Sequence, residues 1–256
     1  MAEDIIENIL SRKNVVLALV DIRSMNNYTY SHSVNVAVIS MTIGIALKFP
    51  KKKLEALCIG ALIHDIGKSF LPKRMMDKDT SFTEKEIELL RHHPRLGYKY
   101  LSSTYNVNSL SKMIVLQHHE RPDGLGYPDG LKEENILDLS KIVSIADAYD
   151  NLSTDLPGKR AMFPSDVLEY LMSNAGTLFD YYIISVFCRI VIPFPKGTIV
   201  KLSTEEIARV EETVPNFPLR PILRIISGPR ESRVGERISL LEELSVVITE
   251  IIYDMN

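Results

Sequence analysis

Cysteine is scarce: there are two in 256 residues. Both, Cys58 and Cys188, sit in apolar runs. This excludes a disulfide framework and leaves two small buried thiols suited to a reducing compartment. No apolar run approaches the ~20 residues needed to cross a bilayer. The N-terminal MAEDIIENIL is acidic and amphipathic, unlike a signal peptide. These absences predict a cytoplasmic protein, or the cytoplasmic piece of a longer one, with no membrane partner in this chain. An excess of one charge is lacking as well. Thirty Lys and Arg against 33 Asp and Glu leave a net charge of −3. No general attraction to DNA or anionic lipid follows, so an anionic ligand must be attracted locally. Internal repeats and low-complexity segments are absent too. The length, with 45% hydrophobic residues, suits one large domain or one domain plus a small second one.

What is present is an uneven use of histidine. The six histidines are His32, His64, His92, His93, His118 and His119. None lies in the first thirty residues or the last half of the chain. The stretch His64-Asp65-Ile66-Gly67-Lys68 follows an apolar segment, Leu54 to Ile63, that reads as a buried helix. Gly67 breaks that helix, so an imidazole, a carboxylate and a cation meet at one helix end. Alone, such a pair is more often a cap than a metal site.

The pattern in chain order predicts a mainly α protein. Residues 1–24 read as an N-terminal helix or linker, 25–192 as a helical domain and 193–256 as a small β-rich appendage. Helices are expected at 29–47, with His32 in the first turn, and from Lys51 to the His64-Asp65 pair. Thr83 and Glu86 fit a capping box for the next helix, and Pro94 should kink or break it. Adjacent histidines on a helix point about 100° apart, so His93 is expected inward and His92 on a flank. A further helix starting near Asn106 or Asn108 closes on His118 and His119. The stretch Arg121 to Gly130 that follows cannot be regular. Its glycines permit positive φ and close backbone approach. Asp138 or Ser140 begins the next helix, where Asp147 is costly to bury without a cation or donors. Asp150, three residues on, is read as a surface partner. Two more helices follow near 165–174 and 179–190. Strands are expected at Thr198–Leu202, Ile222–Ile226 and Ser245–Tyr253.

The inward candidates are His32, His64, Asp65, His93, His118, His119 and Asp147. Imidazole and carboxylate without cysteine suit iron, manganese, zinc or similar ions. The set exceeds what one ion of about four to six ligands holds. It suits two ions ~3.5–4 Å apart, bridged by Asp65. Such a pair can share a water, lower its pKa to give hydroxide, and accept phosphodiester oxygens as charge develops. Lys68 would add a point charge at the phosphate or leaving oxygen.

HDIGK followed by HHERPDGLGYP resembles the HD-GYP family, a branch of the HD phosphohydrolase superfamily, over residues 25–192. The resemblance implies an HD-type helical bundle, two divalent ions, most often Fe or Mn, and hydrolysis of cyclic di-GMP to linear pGpG and on to GMP. In that pattern His32 matches the first histidine, His64 and Asp65 the HD pair, and Lys68 its lysine. His93 matches the HP element, His118 and His119 the paired histidines, and Asp147 the aspartate of the IADAYD element. Asp65 and Lys68 would then be catalytic, and Lys68, Asp123, Gly126, Tyr127 and Lys159 would face the substrate. Two departures stand out. Tyr28 occupies the place of a glutamate found in members with three metals. Leu156 stands where a basic residue precedes Pro-Tyr, with Lys159 and Arg160 nearby. The resemblance therefore leaves an alternative: a weak or inactive cyclic di-GMP receptor acting on signalling partners through the GYP loop. A homodimer is compatible with either.

Overall fold

The computed structural model describes residues 27–72, 75, 82–155, 160–229 and 233–252. The expected N-terminal helix or linker, Leu156 and Lys159 lie outside these residues, as does the side chain of Tyr28. The described residues form two compact units. One holds residues up to Met162 together with Glu169–Val186; the other holds Phe163–Leu168 and the residues from Phe187 on. The expected boundary at 192/193 differs from this division: the segment 163–168 and the end of the last helix go with the second unit.

The helices are α1 (Asn27–Ala46), α2 (Lys51–Leu62), α3 (Glu84–Leu90), α4 (His93–Thr104), α5 (Ser109–Gln117), α6 (Asp138–Ser153), α7 (Pro164–Ser173) and α8 (Tyr181–Ile190). A short 3₁₀ segment, Ile66–Phe70, follows α2. In the first unit, α2 is the central element. It buries Leu54, Ala56, Leu57, Cys58, Ile59, Gly60, Ala61 and Leu62, too many positions for a one-sided helix, so it needs neighbours all round. They are α1, α5 and α6. The 3₁₀ segment and α5 both pack on α4.

Helix ends obey local chemistry. Thr83 caps α3 in a full capping box with Glu86, and Asn108 caps α5 through Ser111 N–H. Pro94 does not kink one long helix. It sits in the first turn of α4, where its missing N–H costs nothing, and α3 ends before it. Gly67 has a packing reason: a Cβ there would lie 1.9 Å from the carbonyl oxygen of His93 and 2.7 Å from Gly97 N. Only a residue without a side chain lets the segment after α2 lie on α4.

The second unit contains a five-stranded antiparallel sheet, ordered β4-β3-β2-β1-β5. Its strands are β1 (Ile199–Leu202), β2 (Ile207–Glu212), β3 (Ile222–Ser227), β4 (Arg237–Ser239) and β5 (Ile248–Ile252). Val200 pairs with Ala208 and with Ile251. Val200, Leu202, Ala208, Val210, Leu223, Ile225 and Ile238 turn to one face and bury together with Phe194. The sequence reading omits β2 and β4. In β2, Ala208 and Val210 point inward on either side of Arg209, an alternation easy to pass over in a run as polar as IARVEE.

Candidate metal centre

The first unit brings His32, His64, Asp65, His93, His118, His119 and Asp147 to one place, from α1, the end of α2, the start of α4, the end of α5 and the middle of α6. All are buried except His119, which is half-buried. His92 is exposed, as its flank position predicts. The ligand-capable atoms fall into two groups: Asp65, His93, His118 and His119, and His32, His64 and Asp147. Within each group these atoms lie within 4.8 Å of one another.

Asp65 belongs to both neighbourhoods. Its Oδ1 is 3.2 Å from His93 Nε2 and 3.8 Å from His118 Nε2. Its Oδ2 is 3.4 Å from His64 Nε2 and 3.9 Å from His32 Nε2. Asp147 Oδ1 lies 3.0 Å from His32 Nε2 and 3.8 Å from His64 Nε2. Each oxygen of one carboxylate thus serves a different group, which is what a bridging ligand requires.

The imidazoles are aimed from behind. Nδ1 of His64 donates to Ala61 O (2.8 Å), that of His93 to Leu90 O (2.7 Å) and that of His118 to Val115 O (2.9 Å). Each acceptor is a carbonyl in the last turn of a helix, where intrahelical partners run out. One bond therefore satisfies an orphan carbonyl, fixes the tautomer and leaves Nε2 to face inward. His32 lies inside α1 and has no such carbonyl; its Nδ1 donates to Asp150 Oδ2 at 2.7 Å. Asp150 is buried, which corrects its reading as a surface partner. Asp147 and Asp150 are one turn apart on α6, so spacing alone could have placed both on one face.

Opposite charges dominate the electrostatics of His64, Asp65 and Asp147 in the cluster. Burial opposes protonation of His64, but Asp65 and Asp147 reverse the effect and raise it to about 10. Burial would raise the carboxyl groups of Asp65 and Asp147; Lys68 and His64 hold the first low, and His32 and His64 the second. His118 is pushed down to about 4 by burial, with His64 and His93 adding to it. Burial likewise holds His119 well below the ordinary histidine range. Lys68 Nζ sits 2.5 Å from Asp65 Oδ2.

The residues fit divalent cations. Among the described residues, the buried atoms His64 Nε2 and Asp65 Oδ1 have no hydrogen-bond partner. Buried polar atoms without partners are rare and call for an explanation, and a cation between them supplies one.

The loop after His119 forms one wall. The Tyr127 ring stacks on His119 with centroids 4.6 Å apart, and Arg91 lies 5.7 Å from the centre of that ring. Gly124 and Gly130 adopt positive φ. Gly126 instead serves close approach: a Cβ there would sit 2.5 Å from Arg121 N and 2.6 Å from His119 O. Glu120, which sequence reasoning passes over, is buried and accepts from Asp129 N–H (2.7 Å) and Leu131 N–H (2.8 Å). Only the need to satisfy an irregular backbone could have pointed to it. Asp123, expected at the substrate, has both carboxylate oxygens engaged inside the loop, by Arg121 and by Leu125 N–H.

Comparison with known proteins agrees with this arrangement. A model described as an HD domain matches residues 6–183, and one described as a KOW domain associated with HD domain matches residues 199–254. The chain is 30% identical over 230 residues to a cyclic di-GMP phosphodiesterase of Pseudomonas aeruginosa, covering 90% of this chain and 55% of that protein. It is 32% identical over 195 residues to a cyclic di-GMP phosphodiesterase of Borreliella burgdorferi, covering 75% and 51%. An HDG"Y"P protein from Bdellovibrio bacteriovorus has a similar structure, with a TM-score of 0.54, 26% identity and coverage of 73% of this chain and 60% of that one. The chain spans about half the length of the curated relatives it matches. Both of its sequence signatures lie in the helical unit matched by the HD model, and the chain belongs to the HD domain family, in its HD-GYP branch.

Proposed function

We propose that this chain is a metal-dependent phosphodiesterase that opens cyclic di-GMP to linear pGpG and carries it on to GMP. The observation that carries this reading is the division of the two Asp65 oxygens between two groups of imidazoles. Asp65, His93, His118 and His119 would hold one divalent ion, and His32, His64, Asp147 and Asp65 the other; the donors suit iron, manganese, zinc or similar ions, and the family resemblance favours Fe or Mn. Bound ions supply an activated water and neutralise the phosphate.

The protein's own contribution is position and charge. Carbonyls at helix ends hold the imidazoles in one tautomer, so no reorientation is needed when substrate arrives. Lys68 lies against Asp65 and is charged: burial opposes this, and the Asp65 and Asp147 carboxylates restore it. Beside a bound phosphate it would stabilise the charge that develops on a non-bridging or leaving oxygen. Tyr127, with Gly126 beneath it, closes one side of the centre and keeps His119 from tilting outward. Lys159, with Arg160, would meet a substrate phosphate in place of the basic residue absent at Leu156.

A receptor role is the second reading, and Leu125 supports it. Leu125 projects from the GYP loop with 74% of its surface exposed, which suits contact with a signalling partner in the cytoplasm. Incubating protein loaded with iron or manganese with cyclic di-GMP, and following products by chromatography, separates the two. Linear pGpG or GMP supports the enzyme. Tight binding without product in both metal forms overturns it in favour of the receptor. Turnover of a mixed guanine–adenine cyclic dinucleotide alone would change the substrate and keep the reaction.

A further inference from the structure

We propose that Asp150 and Asn35 are positioning residues that set the affinity of one of the two cation positions, the one served by His32, His64 and Asp147. The inference rests on the two-cation reading of the centre. His32 differs from His64, His93 and His118 in where it stands. Those three lie at helix ends and use main-chain carbonyls of the last turn. His32 is well inside the 20-residue α1, where neighbouring carbonyls accept helical N–H groups. Something else has to fix its ring, and a carboxylate from another helix does so.

The arrangement is a relay of three side chains. His32 Nδ1 donates to Asp150 Oδ2 at 2.7 Å, and Asn35 Nδ2 donates to Asp150 Oδ1 at 2.9 Å. Asn35 is one turn along α1 from His32, so α1 grips the same carboxylate twice. Asp150 cannot rotate without breaking one of these bonds, and His32 cannot turn its Nε2 away from Asp147, 3.0 Å distant. A carboxylate behind an imidazole also makes Nε2 a stronger donor than a neutral carbonyl does. The two positions are therefore supported differently: main-chain carbonyls aim His93 and His118, while the Asp150 side chain aims His32.

The test titrates the full chain, stripped by chelation, with manganese alone, following stoichiometry by calorimetry and elemental analysis. The wild type is expected to take two ions. Asp150→Ala should keep one at wild-type affinity and bind the second about ten- to hundredfold more weakly. Asn35→Ala, at an exposed position, should weaken the same ion by less and leave folding intact, so it carries the test even if Asp150→Ala does not fold. The exchange variant Asn35→Asp with Asp150→Asn keeps volume and net charge, and its amide still accepts from His32. It should recover part of the second ion's affinity, which a merely structural role would not predict. Asp150→Ala titrating like the wild type overturns the inference, as does equal weakening of both ions by either single variant. A wild type that takes up no ion overturns the two-cation reading itself, a result distinct from either.

Discussion

Asp65 and Lys68 face each other across one turn of 3₁₀ helix, with Nζ 2.5 Å from Oδ2. The ammonium lies against the same oxygen that serves His64 and His32. A shared carboxylate and its own cation are thus supplied by four consecutive residues. Replacing Asp65 with Ala should strip both ions and the activity together, measured by elemental analysis beside the chromatographic assay. Retention of both ions would refute the bridge.

Lys68→Ala should separate binding from turnover. No metal-directed atom is lost, so ion content should stay near two per chain. Turnover should fall about a hundredfold, the scale of removing one charged donor aimed at a developing anion. The check is kcat at saturating substrate with metal content measured on the same sample; unchanged kcat would remove Lys68 from the chemistry.

Gly67→Ala places a methyl group 1.9 Å from His93 O. The backbone must shift, with a cost of about 1–3 kcal/mol for overpacking. Because that carbonyl belongs to His93 itself, the ligand moves too. Urea unfolding should show the lost stability, and metal titration of the folded fraction should show weaker uptake.

Glu120→Ala removes the acceptor for two backbone donors, Asp129 N–H and Leu131 N–H. The two donors are part-buried, so losing their acceptor costs less than the about 1–3 kcal/mol of a fully buried group, and the loop is expected to open to water. Hydrogen exchange should speed at Asp129 and Leu131 while the amides of α2 remain protected.

Asp180 gives stability a pH dependence away from the centre. Burial would raise its carboxyl, but the Ile183 N–H and Lys141 together hold it below the ordinary 3.8. A depressed folded value means the unfolded chain binds the proton first. The contribution is complete above the ordinary value and is lost as pH falls through the folded one. Asp180→Asn should therefore be less stable than wild type at neutral pH, with the gap closing below about pH 4 in urea midpoints measured across the range.

Much of this was legible in the sequence because the signals were local and redundant. Thr83 and Glu86 announce a helix start, and the Gly-rich stretch after His119 announces an irregular wall. That His92 and His93 must diverge follows from the chain's local geometry, and the choice of His93 as the inward one comes from the HP pattern of the resemblance. What escaped needed the third dimension. Asp150 looks like any exposed acid on α6 until α1 supplies His32 and Asn35. Glu120 has no motif; its role exists only once the backbone of residues 129–131 folds over it. In the β unit, β2 hides because its two inward residues, Ala208 and Val210, are outnumbered by charges. The HD-GYP resemblance named the histidines and acids, but not what holds each of them in line.

Ala61, Leu90 and Val115 give the centre a property beyond catalysis. Their carbonyls end three different helices, and each is tied to an imidazole whose other nitrogen looks inward. Under the two-cation reading, ions at the two positions would between them draw on those nitrogens and pull three helix ends tight, and their departure would let the ends fray together. Scarcity of the ions this centre would take would thus be felt as a loosening of the whole bundle. The protein's lifetime, and not only its rate, would then follow the supply of its ions.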